Sequence, residues 1–276
     1  MTAGRDGRFE QPVALVTGAG GALGAAIGRR LRSVGFRLAL FERDEKSAGA
    51  VARDFGPDAL TIAVDQSDRA QIDGAMRQIE KKLGRLDVVV ANAGYAKFGT
   101  VLDMPAADWD RHIAVNLSGT FHVCQAAART MAQSRTGGSI VIISSALALA
   151  HSDEVAAYCA SKAALLPLVR SMAAELGVYR IRVNAVLPGV VETPMTGGML
   201  EEAGAAEDLV SRTPLGRLGR ADDIADAVQF LCSQKAGFIT GAGLTVDGGQ
   251  SIYGEPRWRR QDRSEAFAPR SRAGLG

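Results

Sequence analysis

The sequence predicts an α/β protein built around a parallel β-sheet. Short apolar runs alternate with longer amphipathic segments along the chain, which is typical of βαβ units joined by right-handed connections. A length of 276 residues with 47% hydrophobic side chains is sufficient for one full core. We therefore expect a main domain at residues 12–250, an N-terminal tail at 1–11 and a C-terminal extension at 251–276.

Seven apolar runs have the length and composition of buried strands. In chain order they are Val13–Thr17, Arg37–Phe41, Leu60–Val64, Leu86–Ala91, Ser139–Ser144, Arg182–Leu187 and Gly243–Val246. Six amphipathic stretches are predicted helices: Ala22–Val34, Glu45–Phe55, Arg69–Leu83, Trp109–Gln133, Val155–Leu176 and Asp222–Ser233. Pro167 falls inside the fifth helix, where it removes a backbone hydrogen bond and is expected to kink the helix.

Two segments interrupt this alternation. Val190–Thr213 is rich in glycine, glutamate and alanine and has no clear strand. We expect an irregular or loosely helical insert that covers the substrate at the carboxyl edge of the sheet; a disordered loop is the alternative. The extension at 251–276 carries six arginines and three acidic residues, which indicates an ordered arm on a neighbouring subunit or disorder.

Composition excludes several functional classes. The net charge is +2 and no dense basic stripe is present, so the sequence gives no support for nucleic-acid binding. No apolar run at the N-terminus resembles a secretion signal, and no run is long enough to span a membrane. Cys124, Cys159 and Cys232 are widely spaced and form neither a disulfide framework nor a zinc motif. We expect a cytoplasmic protein without a metal.

A glycine-rich segment, Thr17-Gly-Ala-Gly-Gly-Ala-Leu-Gly24, follows the first strand and opens the first helix. Such a loop lets the backbone approach a pyrophosphate, and the helix N-terminus offers N–H groups and a favourable dipole. The spacing departs from the dinucleotide fingerprint G-x-G-x-x-G because Leu23 occupies the third glycine position. A tight turn without a ligand is the alternative.

The residue at the end of the second strand bears on the choice of cofactor. Glu42 can accept hydrogen bonds from a ribose 2′-hydroxyl and would repel a 2′-phosphate, which favours NAD over NADP. Arg43 follows directly and could instead bind the 2′-phosphate. A solvated charge at a strand end is the alternative for Glu42.

Tyr158 and Lys162 lie four residues apart in a predicted helix, so their side chains share one face. An ammonium beside a phenol favours the phenolate and lowers its pKa from an ordinary value of about 10. A tyrosine of this kind can take a proton from an alcohol or give one to a ketone. Ser145 ends a buried strand thirteen residues upstream, where open α/β sheets bind their ligands.

Together these features resemble the short-chain dehydrogenase/reductase family over Val13 to Gly249, most of the chain. The residues that carry the resemblance are Thr17-Gly18 with Ala22 and Gly24, Ala91-Asn-Ala-Gly94, Asn116, Ser145, Tyr158 with Lys162, Pro188-Gly189 with Thr193, and Val246-Asp-Gly-Gly249. Ala22 stands where the family usually has a second glycine, and Ala91 where many members have asparagine. The resemblance implies a single-domain, Rossmann-like fold with a three-layer, doubly wound, seven-stranded parallel sheet, and a homotetramer.

The resemblance also implies a catalytic set. Tyr158 would be the general acid/base, and Lys162 would lower its pKa and hold the nicotinamide ribose. Ser145 would hydrogen-bond the substrate oxygen. Asn116 would anchor a water that leads protons to Lys162.

Cofactor and substrate contacts are implied in the same way. Asp65 would contact adenine with Gln66 alongside, Asn92 and Gly94 would border the adenine ribose, and Val191 and Thr193 would hold the carboxamide and phosphate. The full predicted cofactor set is Gly18, Gly20, Ala22, Leu23, Gly24, Glu42, Arg43, Asp65, Gln66, Asn92, Ala93, Gly94, Tyr158, Lys162, Pro188, Gly189, Val191 and Thr193. Predicted substrate contacts are Ser145, Leu147, His151, Tyr158, Met195 and Met199; a solvated loop position is the alternative for His151. If several of the apolar loop residues ring the pocket, the site suits a hydrophobic or alicyclic alcohol; ordinary core positions are the alternative for this set, which is Tyr95, Phe98, Leu147, Leu149, Met195, Met199 and Leu200.

The leading functional hypothesis is NAD-dependent interconversion of a secondary alcohol and a ketone, with small molecules as the only partners besides other copies of the chain. An NADPH-dependent carbonyl or 3-oxoacyl-carrier reductase is the second hypothesis. A nucleotide-sensing protein without turnover is the third, and it would not need both Tyr158 and Lys162.

Overall fold

Seven parallel strands form one sheet in the order β3-β2-β1-β4-β5-β6-β7 in the computed structural model, which describes residues 11–252. The strands are β1 (Val13–Thr17), β2 (Arg37–Glu42), β3 (Leu60–Ala63), β4 (Val88–Ala91), β5 (Gly138–Ile143), β6 (Ile181–Pro188) and β7 (Gly243–Val246). The order reverses direction at β1, which has β2 on one side and β4 on the other. The predicted fold class is confirmed.

Helices cover both faces of the sheet. Their bounds are α1 (Ala22–Ser33), α2 (Glu45–Phe55), α3 (Arg69–Leu83), α4 (Ala106–His112), α5 (Thr120–Ser134), α6 (Ala156–Ala163), α7 (Leu165–Leu176), α8 (Pro194–Leu200), α9 (Ala205–Arg212) and α10 (Ala221–Cys232). Val13 and Leu15 point into a core shared with α3, α5 and α7, whereas Ala14 and Val16 point into a core shared with α1, α2 and α10. This alternation of side chains along β1 produces the three layers.

The helix predicted at Trp109–Gln133 is longer and interrupted. It runs from Ala106 to Ser134, and its middle, Ile113–Gly119, is a π-helical segment between α4 and α5. Asn116 lies at the centre of that segment and is fully buried. Short π-helical segments inside α-helices are frequent at functional sites.

Pro167 divides the next predicted helix, as expected. Helix α6 ends at Ala163 and α7 begins at Leu165, with Ala164 between them. The proline has no N–H to donate to the carbonyl of Ala163, and its ring would clash with that carbonyl in a regular helix. The break therefore lies just after Lys162, so Tyr158 and Lys162 remain on one continuous stretch of helix.

The insert at Val190–Thr213, called the lid below, is ordered around two short helices, α8 and α9. Neither helix has a buried residue. None of the helices between residues 11 and 252 is long and apolar enough to cross a bilayer. Apart from residues 11, 251 and 252, the predicted N-terminal tail and arginine-rich extension lie outside the described residues.

Candidate active site

The glycine loop lies at the point where the strand order reverses. Gly18 has a φ of +64°, and a side-chain carbon there would come within 2.9 Å of the Ala93 backbone. A side-chain carbon on Gly24 would overlap the Gly18 carbonyl. Both positions therefore require glycine, and the loop packs directly against the segment that follows β4.

The N-terminus of α1 suits a phosphate group. Gly21 caps this helix without a side-chain hydrogen bond, whereas the carboxylates of Asp44 and Asp68 cap α2 and α3. Ala22 is the first helical residue of α1, where its methyl group is compatible with the backbone conformation. The first N–H groups of α1 have no capping side chain and thus fit a pyrophosphate.

Glu42 connects the end of β2 to the glycine loop. Its Oε2 accepts a hydrogen bond from the Gly20 N–H at 2.7 Å, and its Oε1 accepts one from the Arg43 N–H at 3.1 Å. The Arg43 guanidinium is exposed and lies 3.4 Å from the Asp44 carboxylate. The Glu42 carboxylate therefore lies at the loop, and the neighbouring Arg43 is paired with a second acid.

The structure gives Asp65 and Gln66 different surroundings. The Asp65 carboxylate accepts hydrogen bonds from Ser67 and faces Arg111 at 3.4 Å; burial opposes ionisation, but these contacts outweigh it and lower the pKa of Asp65. The Gln66 side chain is buried, and its amide donates to the carbonyls of Ala93 and Val115 at 3.2 and 2.8 Å. The Gln66 side chain thus links the end of β3 to the π-helical segment, which leaves it no donor for adenine.

The segment after β4 contacts both the glycine loop and Lys162. The Asn92 side chain donates to the carbonyls of Thr17 and Gly18, and Thr17 Oγ1 accepts from the Asn92 and Ala93 N–H groups. A side-chain carbon on Gly94 would lie 3.4 Å from Lys162 Nζ. Gly94 therefore lies close to the amine of Lys162, and its place beside the adenine ribose stays a prediction.

The four predicted catalytic residues, Asn116, Ser145, Tyr158 and Lys162, meet at one corner of the cleft, called the catalytic corner below. Lys162 Nζ lies 5.8 Å from the centroid of the Tyr158 ring and donates to the Ile143 carbonyl at 2.9 Å. The Ser145 side chain lies close enough to the Tyr158 phenol to influence its pKa. The end of β5 and helix α6 therefore present a serine hydroxyl, a phenol and an amine together.

The pKa values at this corner differ from the sequence-based expectation. Burial raises the pKa of Tyr158 above its ordinary value, although the Ser145 side chain lowers it in part. Burial also lowers the pKa of Lys162 to about 8. The pKa of Tyr158 is therefore raised and not lowered as expected, because burial of the phenol outweighs the contacts that favour the phenolate.

Asn116 connects three segments of the corner. Its Oδ1 accepts from the Tyr95 N–H at 2.7 Å, and its Nδ2 donates to the Tyr95 carbonyl at 2.9 Å and to Ser161 Oγ at 3.0 Å. Ser161 Oγ in turn donates to the Tyr158 carbonyl at 2.8 Å. The asparagine amide thus satisfies the backbone after β4 and holds it against helix α6.

The loop after β6 begins at Pro188 and leads into the lid. Gly189 packs so closely on Asp247 that a side-chain carbon would lie 2.6 Å from the Asp247 Cβ. Thr193 is the N-cap of α8, and Thr196 Oγ1 donates to the Val191 carbonyl at 2.7 Å. This turn holds the backbone of Val191 and the hydroxyl of Thr193 at the carboxyl edge.

The predicted substrate contacts occupy two sides of this edge. Leu147 is partly buried in the turn after Ser145 and donates its N–H to Ser145 Oγ at 3.1 Å, whereas His151 is exposed further along the same loop. Met195 and Met199 lie on α8, where Met195 is 55% exposed. Leu147 is the member of this group that a direct contact ties to the catalytic corner.

Three comparisons identify the family. A family model described as enoyl-(acyl carrier protein) reductase matches residues 18–251. The chain is 40% identical to 2-(S)-hydroxypropyl-CoM dehydrogenase 3 of Xanthobacter autotrophicus over 258 residues, which cover 88% of this chain and 98% of the relative. A solved short-chain type dehydrogenase/reductase from Mycobacterium marinum is 32% identical, with a TM-score of 0.83 over 88% of this chain and 96% of that one. The chain belongs to the short-chain dehydrogenase/reductase family.

A further solved relative is a gluconate 5-dehydrogenase from Burkholderia cenocepacia in complex with NADP and tartrate. It is 33% identical, with a TM-score of 0.84 over 88% of this chain and 96% of that one. These relatives act on CH–OH groups, and this short-chain dehydrogenase/reductase accordingly interconverts a secondary alcohol and a ketone with NAD(H) or NADP(H).

Sequence reasoning missed two serines that support the catalytic corner of this dehydrogenase. Ser144 Oγ donates to the Lys162 carbonyl at 2.9 Å, and Ser161 connects Asn116 to Tyr158. The position of Ser161, three residues after Tyr158 on the same helix, was a usable signal. Ser144 had no comparable signal, because its partner is a backbone carbonyl on another element.

Proposed function

We propose that the chain is an NAD-preferring oxidoreductase of secondary alcohols and ketones in which Tyr158 is the general acid/base. The observation that carries the proposal is the placement of Tyr158 beside the Lys162 amine, whose Nζ lies 5.8 Å from the centroid of the phenol ring, with Ser145 just after β5 at the same corner. A bound nicotinamide supplies the hydride acceptor in oxidation and the donor in reduction. The residues of the catalytic corner then have to orient the substrate and move one proton.

In alcohol oxidation, the proton of the substrate hydroxyl passes to the Tyr158 oxygen. Ser145 donates a hydrogen bond to the same substrate oxygen and orients it, because its side chain lies near the phenol. Burial disfavours the phenolate, so a positive charge beside Tyr158 has to offset that cost. We assign this stabilisation of the phenolate to the ammonium of Lys162 and to the positive charge that the oxidised cofactor would bring.

The residues around the glycine loop support the assignment of a dinucleotide cofactor. The uncapped α1 N-terminus fits the pyrophosphate, and the Asp65 carboxylate with its Ser67 and Arg111 contacts fits the adenine end. Glu42 stands where a 2′-phosphate would meet a negative charge. Gly94 and Lys162 fit the nicotinamide ribose, with Val191 and Thr193 at the carboxamide.

The central test is turnover. Purified protein with NAD⁺ and a panel of secondary alcohols, covering polyols, alicyclic and aromatic compounds, should produce absorbance at 340 nm. Tyr158→Phe should lower kcat by about 10³-fold or more, because general acid/base catalysis contributes on the order of 10²–10⁴-fold. Its Tm should match the wild type. Full activity in Tyr158→Phe would remove the tyrosine from the mechanism.

Cofactor preference is tested at Glu42. Glu42→Gln keeps an oxygen acceptor for the Gly20 N–H and removes the charge, whereas Glu42→Ala removes both. We expect the Kd for NADP to fall by about 10-fold or more in Glu42→Gln, since one like-charge contact is worth a factor of that order. The Kd for NAD should change by only a few fold. If the wild type already binds NADP more tightly than NAD, the NADPH-dependent carbonyl reductase replaces the present proposal.

We also propose a cytoplasmic homotetramer. Cys124, Cys159 and Cys232 are all free thiols, which suits a reducing compartment. Strand β7 is an edge of the sheet and leaves Leu244 37% exposed, which suits burial against another copy. Light scattering should give four times the chain mass of 28.9 kDa. A monomeric mass would contradict the assembly and leave the catalytic proposal intact.

A further inference from the structure

The residues that follow β7 form a tight turn, Asp247–Ile252, called the C-terminal turn below. The Asp247 carboxylate accepts hydrogen bonds from the Gly249 N–H at 2.8 Å and the Ser251 N–H at 2.7 Å. Gly248 and Gly249 have φ values of +63° and +86°, which other residues rarely adopt. The shape of this turn is therefore fixed by its own side chain and by two glycines.

The C-terminal turn contacts the lid at both of its ends. At the entrance, Gln250 Oε1 accepts the Val190 N–H at 3.0 Å. At the exit, the Gly248 carbonyl accepts the Leu215 N–H at 3.1 Å. The C-terminal turn is therefore hydrogen-bonded to Val190, where the lid begins, and to Leu215, just after the lid ends.

Close packing supports these two hydrogen bonds. A side-chain carbon on Gly248 would lie 2.8 Å from Thr213 Cγ2, and one on Gly249 would lie 2.7 Å from Pro214 Cγ. At the other end, a side-chain carbon on Gly189 would lie 2.9 Å from Gln250 Oε1. The absence of side chains at these three glycines lets the backbone of the turn approach both ends of the lid.

Val190 is the residue through which this contact reaches the cofactor segment. Its N–H donates to Gln250, while its carbonyl accepts the Gly219 N–H at 2.9 Å. Val191 follows directly in a short parallel pairing with Gly219, and Thr193 begins α8 two residues later. The backbone orientation of Val190 therefore determines the positions of Val191 and Thr193.

We propose that Gln250 is a positioning residue, which holds Val190 and thereby fixes the cofactor segment Val191–Thr193 and the entrance of the lid. The inference rests on the proposed function of that segment. Gln250 touches no reacting atom. Its effect is on the binding of cofactor and substrate and on the opening of the lid, and the chemical step at Tyr158 is unaffected.

The test compares three variants of the full-length protein. Gln250→Leu removes the acceptor at nearly constant volume, and Gln250→Glu keeps an Oε1 acceptor and serves as the rescue. Gln133→Leu is the matched control, because Gln133 is exposed at the end of α5, far along the chain from the lid. The first measurement is hydrogen–deuterium exchange, and the second is steady-state kinetics.

We expect exchange in peptides covering Val190–Leu215 to be roughly 5- to 10-fold faster in Gln250→Leu, as the loss of one hydrogen bond predicts. Peptides from β5 and α6 should be unchanged, and Gln250→Glu should resemble the wild type. The KM for NAD should rise by a similar factor with kcat changed less than about 2-fold. Gln133→Leu should show neither effect.

Hydrogen–deuterium exchange in the lid that is the same in Gln250→Leu as in the wild type would overturn the proposal. A fall in kcat of the size predicted for the KM effect, with KM unchanged, would also overturn it. Faster exchange throughout the protein would show a general loss of stability and would also overturn it. The exchange measurement needs no turnover, so it decides the role of Gln250 even if the proposed reaction fails in the alcohol screen.

Discussion

The catalytic corner and the lid follow the carboxyl ends of the neighbouring strands β5 and β6 and are held in different ways. The π-helical segment, the end of β5 and helix α6 each contribute a hydrogen bond to the corner, in which Asn116 and Lys162 are 0% and 3% exposed. The lid helices bury no residue and depend on contacts at their ends. The residues proposed for the chemical step therefore stand on buried elements, and the segment proposed to select the substrate can vary at little cost.

The largest effect is expected from Lys162→Met, which removes a buried cation from the corner. Activity should fall by about 10³-fold or more, since Tyr158 loses the charge that favours its phenolate. At pH 7 the variant should be more stable by on the order of 1–3 kcal/mol, because burial lowers the pKa of Lys162 from 10.5 to about 8 and so penalises the charged amine. Urea unfolding and turnover measured on the same samples check both effects.

The pH dependence of this difference has a definite sign. Between about pH 8 and pH 10.5 the unfolded chain binds the Lys162 proton and the folded chain does not, so the wild type gains stability as the pH rises. Lys162→Met lacks this gain, and its advantage at pH 7 should shrink toward pH 10. If Lys162→Met were less stable than the wild type at pH 7, the contacts of the Lys162 amine would outweigh the cost of its burial. That result would contradict the cost assigned here.

An intermediate effect on stability and activity is expected from Gly119→Ala, because Gly119 packs against the backbone of Gln66 after β3. Gly119 ends the π-helical segment with helical dihedral angles, but a side-chain carbon there would lie 2.7 Å from the Gln66 carbonyl oxygen. Gly119→Ala should therefore lose about 1–3 kcal/mol of stability through overpacking. Activity should fall by roughly 10-fold, because Asn116 in the same segment is displaced from Ser161.

Gly74 offers a matched control in a different helix. It lies inside α3, and a side-chain carbon there would come no closer than 3.8 Å to the flexible end of Arg77. Gly74→Ala should stabilise the protein by about 0.5–1 kcal/mol through helix propensity and leave activity unchanged. If Gly119→Ala also stabilised the protein and left activity unchanged, the close contact with Gln66 would not contribute to stability as proposed.

The two regions also differ in how far the sequence predicted them. Strand bounds follow from runs of apolar residues, so β1 and β7 agree at both ends with the prediction. Tyr158 and Lys162 were found because a four-residue step has a fixed meaning on a helix. Local rules of this kind determined most of the catalytic corner.

The features that the sequence did not predict have a common physical cause. The hydrogen bonds of the Gln66 amide, the closeness of Gly94 to Lys162 and the rise of the Tyr158 pKa all depend on what other elements place around these residues. Burial and the partner of a backbone carbonyl are tertiary properties, and no spacing encodes them. The lid shows a related limit, since α8 and α9 have seven and eight residues, which is too short for a helical period to be recognised.

The smallest effect is expected within the lid, at Thr196. Its hydroxyl donates to the Val191 carbonyl at 2.7 Å and accepts the Thr193 N–H at 3.1 Å, so it closes the first turn of α8. Thr196→Val keeps the shape and removes these bonds, which should cost about 1 kcal/mol locally and raise the KM for substrate roughly 2- to 5-fold. Thr196→Ser should retain wild-type kinetics because it retains the hydroxyl. A fall in kcat as large as that of Lys162→Met would place Thr196 in the chemical step and erase the distinction between a rigid corner and an adjustable lid.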